Sequence, residues 1–312
     1  MKRIAILLCL AAVGALIGSA LLGQYKLREI REKCTPSGAF IEVDGHALHY
    51  LERPGGKESV VFLHGASSNA LQWKYSIFTD IPKRYRLIAL DRPGLGHSER
   101  PDPMSLLEQT RLIHKTIVSF ELERPILVAH SLAGAIGARL LSEYPLQYRG
   151  LVLVAGVVYP VGSGASWYTR LATAPVLGHV FRHAIVPVFA PFFAPSMVKT
   201  TFAPNPVADK YAESTCLDVL FIPDRFLANA SDLNQIRPFL DQSYPHFQTI
   251  NLPVSMLYGV DDQVIYQFSH AGGFTYQVPH AVPVMIPDMG HHPHFFRADL
   301  LVRELDRIRQ QN

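Results

Sequence analysis

The sequence predicts an α/β fold: a mostly parallel, doubly wound sheet, interrupted by a helical insertion and preceded by an apolar helix of membrane-spanning length. Three observations predict it. Short, largely apolar runs at residues 60–63, 86–90, 126–128 and 151–154 read as strands buried on both faces. Helical patterns separate these runs, and strands alternating with helices build parallel sheets. Ser131 stands where the strand at 126–128 gives way at once to a helical pattern over 132–144. That is the setting of a nucleophile elbow, in which a strained turn lifts a hydroxyl clear of the sheet edge.

Composition bounds the alternatives. A chain of 312 residues suits one large α/β domain with an insertion, or two small domains. Hydrophobic residues make up 48% and charged residues 18%, which supplies a sizeable core and excludes a disordered chain. A formal charge of +3 is too mild to indicate nucleic acid, and no basic stripe interleaved with aromatics occurs. Cys9, Cys34 and Cys216 form no CxxC pair, so a zinc or redox motif is not supported. Cys34 and Cys216 either pair in an oxidising compartment or stay as two buried free thiols, and the thiols are the expected state.

At the N-terminus, Lys2 and Arg3 precede the uncharged run 4–22, about as long as a hydrocarbon-spanning helix. Residues 1–24 therefore read as a retained anchor rather than a signal cleaved near Gly18, Ser19 and Ala20. A short N-terminal tail stays in the cytoplasm, which places the rest of the chain on the other side of the membrane. Secretion after cleavage is the alternative. Lys26, Arg28, Arg31 and Lys33 make 25–38 read as a charged linker. Residues 40–50 alternate about Asp44 and Gly45, as a hairpin does. The strand 60–63 runs into His64, Gly65, Ala66 and Ser67, and the strand 86–90 into a turn from Asp91 to Ser98.

Leu106, Leu107, Leu112, Ile113, Ile117 and Phe120 then fall at helical spacing over 105–120. At the elbow, small residues are needed two before and two after the nucleophile, because strand and helix approach closely. Ala129 and Ala133 stand there instead of glycines. From 159 to 249 the rhythm changes: prolines and aromatics crowd in, helical stretches appear at 176–189 and 208–221, and no buried strand is evident. That segment reads as an inserted helical cap. The core of 39–158 resumes over 250–312, with strands at 254–258 and 282–286 and a terminal helix from about 293 to 310.

Serine is a poor nucleophile unless a base takes its proton and an acid orients that base. The loop after 254–258 supplies Asp261 and Asp262, and the loop after 282–286 supplies His291 and His292. Both loops fall at the sheet edge that carries Ser131, in the order serine, acid, histidine. Taken together, several motifs resemble the α/β-hydrolase superfamily over roughly residues 39–312. They are His64-Gly65, Asp91 with Gly94, Gly96 and Ser98, the turn from Ala129 to Gly134, Gly259 with Asp262 and Ile265, and Gly290-His291. The resemblance is greatest to its esterase- and lipase-like group with a helical cap. It implies Ser131 as nucleophile. It implies His291 over His292 as base, because the base follows the glycine directly. It implies Asp262 over Asp261 as acid, because the acid lies three residues after the glycine. By the same resemblance the backbone N–H groups of Ala66 and Leu132 form an oxyanion hole, each donor contributing on the order of 3 kcal/mol.

Other readings are weaker. The turn at 91–98 lacks the lysine and the strand–helix context of a phosphate loop. His291, His292 and His294 with Asp288 hold the ingredients of a metal site, yet the fold needs one of them as base, so no metal or organic cofactor is expected. His64 and His130 read as positioning or packing residues, and Asp261 as a solvated carboxylate. The apolar run 176–193 is either the insertion's own core or a wall facing an apolar substrate or lipid; Phe181, Ile185, Val186, Phe189, Phe192 and Phe193 would then sit near the bilayer. The expected function is a serine hydrolase that cleaves the carboxylic ester of an apolar small molecule through an acyl-enzyme, held at a membrane by its N-terminal helix. Acyl transfer and carbon–carbon bond hydrolysis use the same three residues. A non-catalytic binding protein on this fold would usually lose one of them, and none is missing.

Overall fold

The computed structural model describes residues 2–101, 103–162 and 164–311. Among them run the strands β1 (Ala39–Val43), β2 (His46–Arg53), β3 (Glu58–Leu63), β4 (Tyr85–Leu90), β5 (Ile126–His130), β6 (Gly150–Val154), β7 (Val254–Gly259) and β8 (Val282–Ile286). They form one sheet in the order β1-β2-β4-β3-β5-β6-β7-β8. β1 with β2 and β2 with β4 are antiparallel, and all later pairs are parallel. In the β1–β2 turn, Asp44 and Gly45 have φ of 51° and 77°, the left-handed pair that a two-residue type I′ turn needs.

β5 and β6 are buried at every position. Their alternate residues feed two cores. Leu127, Ala129, Leu151 and Leu153 join residues of α3 (Leu106–Ser119) and α4 (Ala133–Glu143) on one face. Ile126, Val128, Val152 and Val154 join Trp73 of α2 (Leu71–Ser76) and Leu301, Leu305 and Ile308 of α11 (Ala298–Gln310) on the other. Covering both faces turns a period-two strand into a continuous apolar run, which is why these strands are visible in the sequence. α3 starts at a reciprocal cap: Ser105 accepts from the Glu108 N–H, and the Glu108 carboxylate accepts from the Ser105 N–H. The terminal helix begins later than expected, because a 3₁₀ turn occupies Pro293–Phe295 before α11.

Between β6 and β7 the described residues hold no strand. They form α5 (Trp167–Thr173), α6 (Pro175–Val180), a π-helical turn (Phe181–Ile185), α7 (Val186–Phe202), α8 (Tyr211–Ser214), a 3₁₀ turn (Leu217–Phe221), α9 (Pro223–Ser243) and a second 3₁₀ turn (Tyr244–Thr249). α10 (Gln267–Gln277) lies beyond β7. A third core ties these helices to the N-terminal helix α1 (Lys2–Lys33); it includes Leu27, Ile30, Val186, Phe221 and Phe226.

Two expectations are corrected here. Residues 25–38 are not a linker throughout, since α1 continues unbroken to Lys33. Its buried Gly23, Leu27 and Ile30 fall on one helical face, while Lys26 pairs with Glu29 and Arg28 with Glu32 on the exposed side. The charges dominate the composition, but the apolar spacing beneath them decides the structure. Nor are Cys34 and Cys216 free thiols. They form a disulfide with Cα atoms 5.7 Å apart and a sequence separation of 182. The third core brings the two segments together, and so distant a pairing leaves no signal in local sequence.

Candidate active site

Ser131 lies between the last residue of β5 and the first turn of α4, with φ of 52°. A left-handed serine is strained and persists only when its surroundings fix it. Here the Ser131 N–H donates to the Val154 carbonyl at 3.0 Å, and its own carbonyl accepts from Gly134 and Val157 at 2.8 and 2.9 Å. Gly65 lies alongside: a Cβ there would come within 2.8 Å of the Ser131 Cβ. The close approach of strand and helix also explains Ala129. A Cβ on Gly137 of α4 would lie 3.1 Å from the Ala129 Cβ. The glycine that makes room thus sits further along the helix, and position 129 accommodates an alanine.

The structure brings Ser131, His291 and Asp262 into one hydrogen-bonded chain. His291 Nε2 lies 2.9 Å from Ser131 Oγ, and its Nδ1 lies 2.7 Å from Asp262 Oδ2. The other carboxylate oxygen, Oδ1, accepts from the N–H groups of Val264 and Ile265 at 2.7 and 3.2 Å, which fixes the carboxylate's orientation. Asp262 and His291 are buried, Ser131 is half-buried and Asp261 is exposed. His292 turns elsewhere: its Nε2 lies 3.2 Å from Thr201 Oγ1, and its ring stacks on Phe202.

Ala66 and Leu132 flank Ser131 from the β3 loop and the start of α4, and among the described residues neither N–H donates to a turn or loop carbonyl. Their arrangement depends on residues that sequence reasoning missed. The Arg92 guanidinium is fully buried. Its Nε donates to the His64 carbonyl at 2.9 Å, and its Nη1 donates to Gln109 at 2.5 Å and Asp232 at 2.7 Å. The Arg92 backbone N–H donates to His64 Nε2 at 3.0 Å. His64 therefore carries its proton on Nδ1 and donates it to the Gly65 carbonyl at 2.8 Å. Burial, aided by the Arg92 charge, pushes the His64 pKa down to about 4, so the ring stays neutral. Asn229 of α9 accepts from the Ser67 N–H at 2.6 Å. Asn229 and Asp232 lie three apart on α9, so one helix face carries both contacts to the β3 loop region; that spacing was the only signal for them.

The turn from Asp91 to Ser98 is structural. Asp91 accepts from the N–H groups of Ala70 and His97 at 2.6 and 2.8 Å, and a Cβ on Gly96 would lie 2.1 Å from its carboxylate. His49 Nδ1 meets Asp91 at 2.7 Å and its Nε2 meets the Ser37 carbonyl at 2.7 Å. Both partners only accept, so both ring nitrogens carry protons and His49 is an imidazolium. Burial opposes either charge, but the mutual contact wins: it raises the His49 pKa and lowers that of Asp91.

The histidines that could hold a metal are not those the sequence grouped. His130, His292 and His294 place one ligand nitrogen each within 4.8 Å of one another, whereas His291 is engaged with Ser131 and Asp262. Burial first, and then neighbouring histidines, holds the pKa values of His130 and His292 well below the usual range and pushes that of His294 down to about 3. Three neutral imidazoles are the form a zinc-like cation would take. His130 Nε2 also donates to the His291 carbonyl at 3.0 Å, which ties it to the positioning of that loop.

A doubly wound sheet with a serine, histidine and aspartate joined at its carboxyl edge defines a class, that of the α/β hydrolases. Residues 60–304 match the alpha/beta hydrolase family, and the chain belongs to that family. It is 26% identical to the mesoderm-specific transcript homolog protein of Homo sapiens over 252 residues, covering 73% of this chain and 72% of that protein. It is 32% identical to monoacylglycerol lipase abhd6-A of Xenopus laevis over 117 residues, covering 36% of this chain and 34% of that protein. The chain thus spans about a third of that lipase's length, and 32% and 24% of two other curated relatives. Among solved structures, a membrane phospholipase A described as a bacterial virulence factor shares the fold, with a TM-score of 0.64, 22% identity and 99% of both chains covered.

Proposed function

We propose that this chain is a serine hydrolase that cleaves the carboxylic ester of an apolar substrate through an acyl-enzyme on Ser131. The observation that carries the reading is the single imidazole of His291 bridging Ser131 Oγ and Asp262 at 2.9 and 2.7 Å. His291 Nε2 takes the hydroxyl proton as Ser131 Oγ attacks the ester carbonyl. The N–H groups of Ala66 and Leu132 donate to the oxyanion that forms. The ester C–O bond then breaks, and His291 returns the proton to the departing alkoxide. Water attacks the acyl-enzyme in the same way, releasing a carboxylic acid and free Ser131. Asp262 holds the Nδ1 proton in place and stabilises the imidazolium. Every group in this scheme comes from the chain, so it calls for no metal or organic cofactor. Relatives named as monoacylglycerol lipase and probable lysophospholipase support an ester-cleaving class.

In this reading residues 159–249 act as a cap that reaches the site loops. Asn205 donates to the Asp288 carbonyl at 2.9 Å and accepts from the Gly290 N–H at 2.8 Å, and Asn229 holds Ser67. The first part of α1 is the membrane anchor, and the catalytic domain lies on the non-cytoplasmic side. The Cys34–Cys216 disulfide supports that side, because disulfides persist in oxidising compartments.

The test uses the full-length chain and a nitrophenyl ester. Ser131→Ala and His291→Ala are expected to lower kcat by about 10⁴-fold or more with the thermal midpoint unchanged, and Ser131→Ala to abolish labelling by a serine-directed phosphonate. Asp262→Asn should also cost orders of magnitude, whereas Asp261→Asn should change little. Near-normal turnover in Ser131→Ala would overturn the proposal.

A further inference from the structure

We propose that α7 forms a second membrane element, lying beside α1 with its aromatic stripe in contact with lipid acyl chains. The proposal rests on the reading of α1 as a membrane anchor and adds a second contact, whose depth α1 sets.

From Val186 to Pro195 α7 is apolar all round. Val186, Ala190 and Ala194 turn into the third core. Phe189, Phe192, Phe193 and Met197, at i, i+3, i+4 and i+8, line an exposed face; Phe192 and Phe193 are 77% and 65% exposed. A helix with no polar face is covered on every side, either in a protein core or in a bilayer. Protein covers only one side of this one. A contiguous aromatic patch of this kind marks an interaction surface.

Contacts with α1 identify the cover. Ser19 Oγ donates to the Ala184 carbonyl, joining α1 to the π-helical turn that leads into α7. Gly23 packs so closely there that a Cβ would lie 2.8 Å from the His183 carbonyl oxygen. Ser19 belongs to the uncharged run 4–22, which the anchor reading places in the hydrocarbon. The start of α7 therefore sits at the depth of the outer end of the span. Its stripe continues the bare surface of Leu16, Ile17, Leu21 and Leu22 on α1, which lipid covers. Leu27 and Ile30 in the third core and the Cys34–Cys216 bond hold α1 against the insertion, so the two surfaces share one orientation. The charges of the segment do not oppose this: Arg182 donates to the Ala172 carbonyl, and Lys199 lies in the last turn of α7.

The experiment uses the full chain with Cys9→Ser, which leaves the disulfide intact, and adds Phe192→Cys or Phe193→Cys labelled with an environment-sensitive nitrobenzoxadiazole. Leu146→Cys is the control. Leu146 is exposed and lies just beyond α4, which begins at the elbow and runs back toward the amino edge of the sheet. Each protein is reconstituted into phosphatidylcholine vesicles with or without doxyl-labelled phosphatidylcholine. Quenching of at least twofold at 192 and 193, with none at 146, is expected. Flotation with the vesicles reports the anchor separately: a chain that does not float removes the anchor reading and this proposal with it. A chain that floats with unquenched labels at 192 and 193 overturns this proposal alone. So does disulfide trapping between copies through Phe192→Cys without quenching, which would assign the stripe to a second copy of the chain.

Discussion

At the carboxyl edge of the sheet, Ser131, His291 and Asp262 are held by backbone geometry, namely a left-handed φ, three backbone hydrogen bonds at the serine and two N–H donors at the aspartate. The insertion is held differently. α9 meets the β3 loop through Asn229 and the β4 loop through the Asp232–Arg92 pair, Asn205 meets the β8 loop, and the disulfide fixes the segment before α9 to the end of α1. The sheet sets where the proposed reacting atoms lie, while a few buried polar side chains set how the insertion meets the loops beside them. The two regions should accordingly fail in different ways when single residues are changed.

The largest effect is expected at Asp232. It accepts from Arg92 and Arg100 at 2.7 Å each and from Gln109 at 3.0 Å, with no solvent exposure. Asp232→Asn leaves two guanidinium groups facing a neutral amide, and breaking a buried charge pair from one side costs about 3–5 kcal/mol. Urea unfolding measures this. A cost below about 1 kcal/mol would mean that apolar packing, not this cluster, docks α9 on the sheet.

Removing the disulfide comes next. Cys34→Ser with Cys216→Ser is expected to cost about 2–5 kcal/mol. Amide exchange should accelerate in α8 and the 3₁₀ turn Leu217–Phe221 while β5 and β6 keep their protection. Equal loss in β5 would show that sheet and insertion unfold as one unit and are not held independently.

The same contrast governs what the sequence disclosed. β5 and β6 were legible because covering both faces leaves unbroken apolar runs. Ser131 and Asp262 were legible because each sits in a loop directly after such a strand, and His291 because it follows the apolar run of β8, an edge strand that is itself only partly covered. The extension of α1 was hidden because Lys26, Arg28, Arg31 and Lys33 mask the spacing of Gly23, Leu27 and Ile30. The disulfide and the Arg92–Asp232 pair were hidden because each joins residues more than a hundred positions apart. His49 was read as a strand residue, since its charge state follows from Asp91 and Ser37, two acceptors that only the fold supplies.

His64 gives a smaller effect with a definite sign. Its pKa is about 4 in the folded chain and about 6.5 when unfolded. Between those values the unfolded chain binds the proton and the folded chain does not. His64 therefore destabilises the fold progressively as pH falls from about 6.5 toward 4, and its contribution is fully restored above 6.5. The loss between pH 7 and pH 5 is about 2 kcal/mol from this residue. His49 has the opposite sign: with a raised folded pKa, its contribution is complete below about 6.5 and is lost as pH rises through the folded value. Unfolding of wild type and His64→Asn across pH 5 to 7 checks the first claim through the slope rather than the absolute stability. Identical slopes would mean that water reaches the ring.

The smallest effect probes the rigidity of the sheet side directly. Alanine at Gly137 should stabilise α4 by up to about 1 kcal/mol from helix propensity alone. The new Cβ would lie 3.0 Å from Leu151 Cδ1 and 3.1 Å from the Ala129 Cβ. The Leu151 tip can rotate away. Ala129 cannot, because it belongs to a strand buried on both sides and paired with β3 and β6. Gly137→Ala alone should therefore show little of its propensity gain. Ala129→Gly alone should cost about 0.5–1 kcal/mol through lost packing and a freer unfolded chain. In the double variant the clash is gone and the propensity gain returns. The two changes should then couple favourably by about 0.5–1 kcal/mol, since touching residues are not additive. Additive effects would mean that α4 slides on the sheet to absorb a methyl group, and that the setting of Ser131 is softer than its hydrogen bonds imply.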